Sequence, residues 1–323
     1  MIVNDLRNFL NKILVFYFPQ KAGYWNLITR CNISEKPNKL GRYYLNFSSK
    51  ANFEGEFSKE GIPLYSFFGQ QNIEHPIVIA QYGLALYEKL LQNNFENTIL
   101  KKKFLMVSNW FLSNKIAVGK GSGWYIHNQY PQFGLNYPFV SAMAQGEAIS
   151  VLTRAALLTN NSEFENSAVA AMEPFKLKVK EGGVVNFFNS IAVYEEGPSP
   201  IKTMAVLNGF IFSLFGLFDL YLLNNNQTAS LLFTRGVNSV KKLLPYYDLK
   251  YWTRYYLFDY PKEYCSSFTY HILVAEQLKA LHLLTGENEF LEYSNRWFDY
   301  SKNFYKKSKA LFKKVIYANK LSP

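Results

Sequence analysis

The sequence predicts a mainly α fold: an α/α toroid of helical hairpins with a small N-terminal β-containing arm. Three observations predict it. Four similar segments, KLLQNNFEN (89–97), LLTNNSEF (157–164), LLNNNQTA (222–229) and LLTGENEF (283–290), set leucine pairs before a turn at 90, 157, 222 and 283, at intervals of 67, 65 and 61 residues. Self-similarity at a near-constant period marks a repeated supersecondary unit. A polar landmark precedes the turn in each unit: Gln81, Gln145 and Asn208, spaced by 64 and 63 residues, with Gln277 in the fourth. Between landmark and turn the apolar residues keep a 3.6-residue spacing, as in Ile149, Leu152, Ala156 and Leu157, or Leu278, Leu281 and Leu284. Each unit therefore reads as helix, Asn-rich turn, helix and long return, because Asn and Gly stop one helix and let the chain reverse.

The chain has 323 residues, 49% of them apolar and 18% aromatic, including 28 Phe and 24 Tyr. That is enough to bury a core and excludes wholesale disorder. Aromatics at this density suit a thick core or a cleft for flat ligands such as sugar rings. The opening segment, MIVNDLRNFLNKILVFYFPQ, has only Ile13 to Phe18 as an uninterrupted apolar run. That is too short for a signal-peptide core, and Asp5, Arg7 and Lys12 break the rest. It suits an amphipathic helix able to touch a membrane or a partner. No stretch supplies the roughly 18–20 apolar residues that span a bilayer. The expected location is cytoplasmic, with membrane-peripheral contact through this segment.

Residues 41–70 lack a helical period and interleave Tyr, Phe and Leu with polar residues around Gly61-Ile62-Pro63. Short strands or an extended arm fit them. The chain thus divides into an arm, 1–70, and a toroid, 71–323. The returns at 119–138, 182–203 and 246–268 are rich in aromatics, Gly and Pro and are expected to line one mouth of the ring.

With 35 basic and 24 acidic residues the formal charge is +11, which favours acidic partners. Lys101–Lys103 reads as a solvated face, and no nucleic-acid recognition motif accompanies it. Cys31 and Cys265 match no metal or redox spacing and read as reduced, buried thiols. Gly119-Lys-Gly-Ser-Gly123 lacks the spacing of a phosphate loop. His75 and His282 have no carboxylate or Cys neighbours at ligand spacing and read as structural. No metal and no cofactor is expected.

Three blocks carry a resemblance. They are Ser141-Ala-Met-Ala-Gln-Gly-Glu-Ala-Ile-Ser150; Tyr194-Glu195-Glu196-Gly-Pro-Ser followed by Val206-Leu207-Asn208-Gly209-Phe210; and Leu244-Pro245-Tyr246-Tyr247-Asp248 running through Trp252 and Tyr255 to Tyr270-His271 and Gln277-Leu278. In order and spacing, over about 120–300, they resemble the C-terminal catalytic region of the D-glucuronyl C5-epimerases, which convert D-glucuronate to L-iduronate within heparan-type polysaccharide. The resemblance implies an α/α toroid and an acidic polysaccharide or oligosaccharide substrate. The protein partner considered is a second copy of the chain, as a homodimer.

Inverting C5 of a uronate removes a proton α to a carboxylate and returns one from the opposite face, so two acid/base groups are needed. Charge spreads onto the carboxylate meanwhile, and donors must be aimed there. The family's glutamate and tyrosine for these roles match Glu196 and Tyr270. His127, Gln145, Tyr194, Asn208, Arg254, Tyr255 and His271 are the candidate substrate-binding residues, with Trp124, Tyr125 and Tyr130 as sugar-stacking platforms. The chain departs from the family at three points. Gly197 stands where the family has a functional tyrosine, and Tyr194 is a candidate to swing into the gap. Phe212 lacks a hydroxyl. Phe258 replaces an arginine, whose charge Arg254 or Lys262 would restore. A changed substrate and a lost activity both fit these departures. The alternatives to an epimerase are a polysaccharide lyase on the same fold and a non-catalytic glycan-binding protein of capsule or exopolysaccharide assembly.

Overall fold

Each Asn-rich turn ends one helix and starts the next. In a computed structural model describing residues 13–21, 23–67, 70–136 and 138–321, four helical hairpins follow one another: α1 (Pro76–Gln92) with α2 (Thr98–Ser113), α3 (Ala142–Thr159) with α4 (Ser162–Ala170), α5 (Leu207–Asn224) with α6 (Gln227–Tyr247), and α7 (Phe268–Thr285) with α8 (Asn288–Lys302). A further helix, α9 (Phe304–Leu321), closes the chain. Helices α3, α5 and α7 end on left-handed residues, Asn160, Asn225 and Gly286, with φ of 54°, 55° and 78°. Glycine and asparagine tolerate that conformation best, which lets the chain turn back. The second helices α2, α4 and α6 start on Asn97, Asn161 and Asn226, whose side chains accept hydrogen bonds from the N–H groups of Leu100, Glu163 and Ala229. These caps satisfy donors that the first helical turn leaves free.

The first helices of successive hairpins pack side by side, α1 on α3, α3 on α5 and α5 on α7. The α3–α5 crossing runs backbone against backbone. A Cβ on Gly216 would lie 2.0 Å from the carbonyl oxygen of Gly146, and one on Gly146 would lie 2.4 Å from Cα of Ser213. Neither neighbour is a side chain that can swing away. Gly216→Ala is therefore expected to lower the urea midpoint at unchanged m-value, by about 1–3 kcal/mol or more of stability.

By length and composition α5 could cross a membrane, contrary to the expectation that no stretch would qualify; it is 78% buried inside the protein, as a core helix. The returns, expected as loops, contain small antiparallel hairpins: β3 (Ile116–Val118) with β4 (Gly121–Gly123), β5 (Tyr125–Ile126) with β6 (Phe139–Val140), and β7 (Val185–Phe188) with β8 (Ile191–Tyr194). Strands of two to four residues are too short to display a period of two.

In the arm, β1 (Leu64–Phe67) pairs with β2 (Gln70–Glu74) across residue 70. Upstream of this hairpin the arm is built into the core. Tyr44 donates to Asp219 Oδ1 at 2.7 Å, and Arg154 of α3 holds Asp219 of α5 through bonds of 2.6 and 3.2 Å while its Nε donates to Gly41 O. Both cysteines are free thiols; Cys265 is buried as expected, whereas Cys31 is only half-buried. Most of the opening amphipathic segment, residues 1–12, lies outside the described residues.

Candidate functional site

The two glutamates after β8 do different work. Glu195 is wholly buried, and its carboxylate accepts the N–H groups of Met204 and Ala205, both at 2.9 Å. Its own N–H donates to Val184 O, and its carbonyl accepts from Ala142 N. Burial pushes its carboxyl up to about 8, against the pull of those two N–H donors. Glu195 thus clamps the 197–206 loop and the starts of α3 and α5 together.

Glu196 sits beside the first turn of α5. Asn208 Nδ2 donates to its Oε2 at 3.4 Å, and Gly209 lets it approach the helix. A Cβ at 209 would lie 2.2 Å from Glu196 Oε2 and 2.6 Å from its Cβ. The Asn-Gly pair at 208–209 therefore supplies a donor and a vacancy for one carboxylate. Gly209→Ala is expected to displace Glu196 from beside Asn208 and to lower any activity that uses this carboxyl about 10²-fold, the cost of misplacing a reacting group by an ångström, with helix content in circular dichroism unchanged.

Glu196 keeps part of its surface open to solvent, yet protein surrounds it closely enough that desolvation raises its carboxyl to about 7. Tyr130, Tyr255 and Tyr270 all feel its charge, and Tyr65 interacts with both Tyr130 and Tyr270. The Tyr255 and Tyr270 rings meet edge to face, centroids 5.1 Å apart, and a hydrogen bond joins their side chains. Burial first, then the charged neighbours, push the phenols of Tyr130, Tyr255 and Tyr270 above their ordinary range, so they hold their protons at neutral pH. All four tyrosines retain some exposure. The result is a recess with one near-neutral carboxyl facing a wall of phenols. Two surface grooves, one along β8 and α6 and one along β4 and α4, are lined by none of these residues.

The structure brings Glu196, Tyr270, Tyr255 and Asn208 together, and Tyr130 joins them. The other sequence candidates lie elsewhere. Gln145 spends its amide on backbone, accepting from Trp124 N and donating to Ser122 O and Ala171 O. Tyr194 does not swing into the gap at Gly197; its ring packs on Phe175 and Phe210 and its hydroxyl donates to Leu232 O. Met204 and Leu135 fill the gap, 3.0 and 3.3 Å from where a Cβ of residue 197 would be. Arg254 donates to Tyr246 O and stacks over Tyr260, away from the recess. Lys202, which the sequence did not single out, lies 5.5 Å over the Phe258 ring. Phe212 packs among Phe47 and Phe215.

His271 lies flat on Trp252, rings 3.7 Å apart, between Thr253 and the Trp297 carbonyl; burial drives its pKa down to about 3, so it stays neutral. His127 is exposed on the return; burial first, and then His127 nearby, lower the proton affinity of His75, which packs on Tyr65. Trp124 is core rather than platform, its indole donating to Phe111 O, while Tyr125 is exposed. Sequence reasoning missed Tyr65.

Residues 119–299 match the family described as the D-glucuronyl C5-epimerase C-terminus. The chain is 35% identical over 181 residues to a D-glucuronyl C5-epimerase of Caenorhabditis elegans, covering 51% of this chain and 28% of that protein. It is 27% identical over 178 residues to the uncharacterized protein MJ1128 of Methanocaldococcus jannaschii, covering 53% and 55%. The chain thus spans under a third of the first relative and about half of the second. Glu196, Asn208, Tyr255 and Tyr270, on which the recess is built, all fall inside the matched stretch, and the chain belongs to the D-glucuronyl C5-epimerase C-terminal family.

Proposed function

We propose that this chain epimerises D-glucuronate to L-iduronate residues at C5 within an acidic polysaccharide, on helical hairpins arranged as an α/α toroid. The observation that carries this reading is the Glu196 carboxyl, raised to about 7 by burial and facing protonated Tyr270 and Tyr255. A carboxyl in that range is a base at neutral pH with enough proton affinity to work on a C–H bond. Glu196 takes the C5 proton, and the electron pair passes into the sugar carboxylate. Tyr270 returns a proton to C5 from the other face. The hydrogen bond with Tyr255 steadies the resulting phenolate, and solvent resets both groups. Asn208 holds Glu196 in position. A formal charge of +11 draws the polyanion in.

The test is NMR of glucuronate-containing polysaccharides incubated with the protein in D2O. Deuterium at C5 of intact chains, with kcat/KM rising as the pH climbs through about 7, is the expected result. An unsaturated cleavage product would establish a lyase instead, and binding without exchange across the panel would defeat both.

A further inference from the structure

The last helix turns large apolar side chains outward beside its positive charges. α9 (Phe304–Leu321) carries Lys306, Lys307, Lys309, Lys313, Lys314 and Lys320 and no acidic residue. Its inner side is fixed by contacts with the body of the protein. Ala310 is wholly buried, and Leu311 packs on the core. Lys307 lies over the rings of Tyr17 and Phe268, Ser308 shares a 2.9 Å hydrogen bond with the Tyr17 hydroxyl, and Lys314 donates to Cys265 O.

Those contacts decide which side faces out. Tyr305, Lys309, Phe312 and Ile316 recur at helical spacing and share that outer face, with Lys313 at its flank. Tyr305, Phe312 and Ile316 are 76, 65 and 39% exposed. At the head of the helix Phe304 is 75% exposed, with its ring 6.3 Å from that of Tyr17, and Phe18 beside Tyr17 is exposed as well. Phe304 and Tyr305 are the most exposed large apolar side chains among the described residues. Scattered apolar residues at a surface need no explanation, but a row of them set among lysines does. The lysines of this face are lightly held. Lys309 Nζ lies 4.1 Å over the Tyr251 ring, and Lys313 pairs with Glu263 at 3.1 Å, both side chains being exposed. An exposed pair of this kind is worth little and can be exchanged for another anion.

The occupant must reward both chemistries. A second copy meeting this face symmetrically would set Lys309 and Lys313 against the same lysines. An acidic polysaccharide would satisfy the lysines and leave Phe312 and Ile316 in water. An anionic lipid surface satisfies both, because acyl chains lie directly beneath its phosphates. We propose that α9 docks on an anionic lipid surface, lying flat with Tyr305, Phe312 and Ile316 below the headgroups and Lys309 and Lys313 among the phosphates. The sequence assigned membrane contact to the opening segment; the structure adds a face at the other end of the chain, joined to that segment through Tyr17.

The test is flotation of the full chain with vesicles of phosphatidylcholine alone, or of phosphatidylcholine with about 30% phosphatidylglycerol. Binding to the second and not the first, weakened as salt screens the charges, is the expected result. Phe312→Gln with Ile316→Gln is expected to weaken it about tenfold or more. Glutamine is a good helix former and both side chains are exposed, so circular dichroism should not change. Lys309→Gln with Lys313→Gln is expected to weaken it about tenfold. Leu231→Gln, which removes an exposed apolar side chain from α6, should leave it unchanged. Three results overturn the proposal: no binding to the anionic vesicles, binding undiminished without Phe312 and Ile316, or a dimer in ultracentrifugation that those two substitutions dissolve, which would assign the face to a second copy. Vesicle binding needs no sugar substrate, so it decides the matter whether or not the epimerase reading holds.

Discussion

If Glu196 is the base we propose, Glu196→Gln is expected to lower C5 hydrogen exchange by about 10²–10⁴-fold or more and to change the pH dependence of stability at the same time. The first effect follows from removing the base while keeping the shape, since the amide still fits over Gly209 and beside Asn208. The second follows from linkage. The carboxyl rises from its ordinary value of 4.5 to about 7 in the folded protein. A folded pKa above the unfolded one means that the folded state holds the proton more tightly, so the contribution is complete below 4.5 and is lost as the pH climbs through about 7. The Gln variant has no such proton to lose. Urea denaturation at pH 5 and pH 8 should therefore show the parent weakening more than the variant over that interval. Equal pH slopes would mean that Glu196 is as well solvated folded as unfolded, and its role as a tuned base would fall.

The second large effect lies in the core between α3 and α5. Arg154→Met is expected to cost about 3–5 kcal/mol, because it strands Asp219 in the core. The Arg154 and Asp219 side chains are 0% and 1% exposed, and the pair bridges α3 and α5 while Gly41 and Tyr44 close it from the arm. Breaking one side leaves Tyr44 as the remaining side-chain donor to a buried carboxylate. Asp219→Leu in the Arg154→Met background should recover much of the loss, since two apolar residues can replace a buried ion pair at little cost. Thermal melts of the two single variants and the double variant check this; singles within 1 kcal/mol of the parent would show that water reaches the pair.

The turns were legible because their chemistry is local. Asn160, Asn225 and Gly286 adopt left-handed backbone, and Asn97, Asn161 and Asn226 cap the helices that follow, so composition alone marks the hairpins. Asn208, Tyr255 and Tyr270 were legible from the family resemblance, and the recess contains them beside Glu196. Gln145 and Gln81 show where the pattern runs out. They occupy the same place in the repeat, yet one satisfies backbone carbonyls of a return and the other links Lys50 to Glu147. Repeat position fixes which way a side chain leaves its helix, while the loop packed against it decides what it meets. Tyr65 carried no signal, since it reaches the site from an aperiodic arm. Tyr194 was misread because a strand alternates its faces: its neighbour Glu195 turns to the loop, and the ring goes into the core.

The contact of Gly146 with Gly216 also bears on how the molecule can change over evolutionary time. Glu147 is the next residue after Gly146, and Gly209 lies two turns before Gly216 on α5. Main chain pressed on main chain thus fixes the spacing between the helix that carries Glu147 and the helix end on which Glu196 rests. The return that carries Glu196 is tied to this hub through Glu195, which bonds to the starts of both helices. A larger residue at either glycine would move both carboxyls at once, whereas insertions and deletions in stretches of the returns away from Glu196 and Tyr255 can change the surface without changing that spacing.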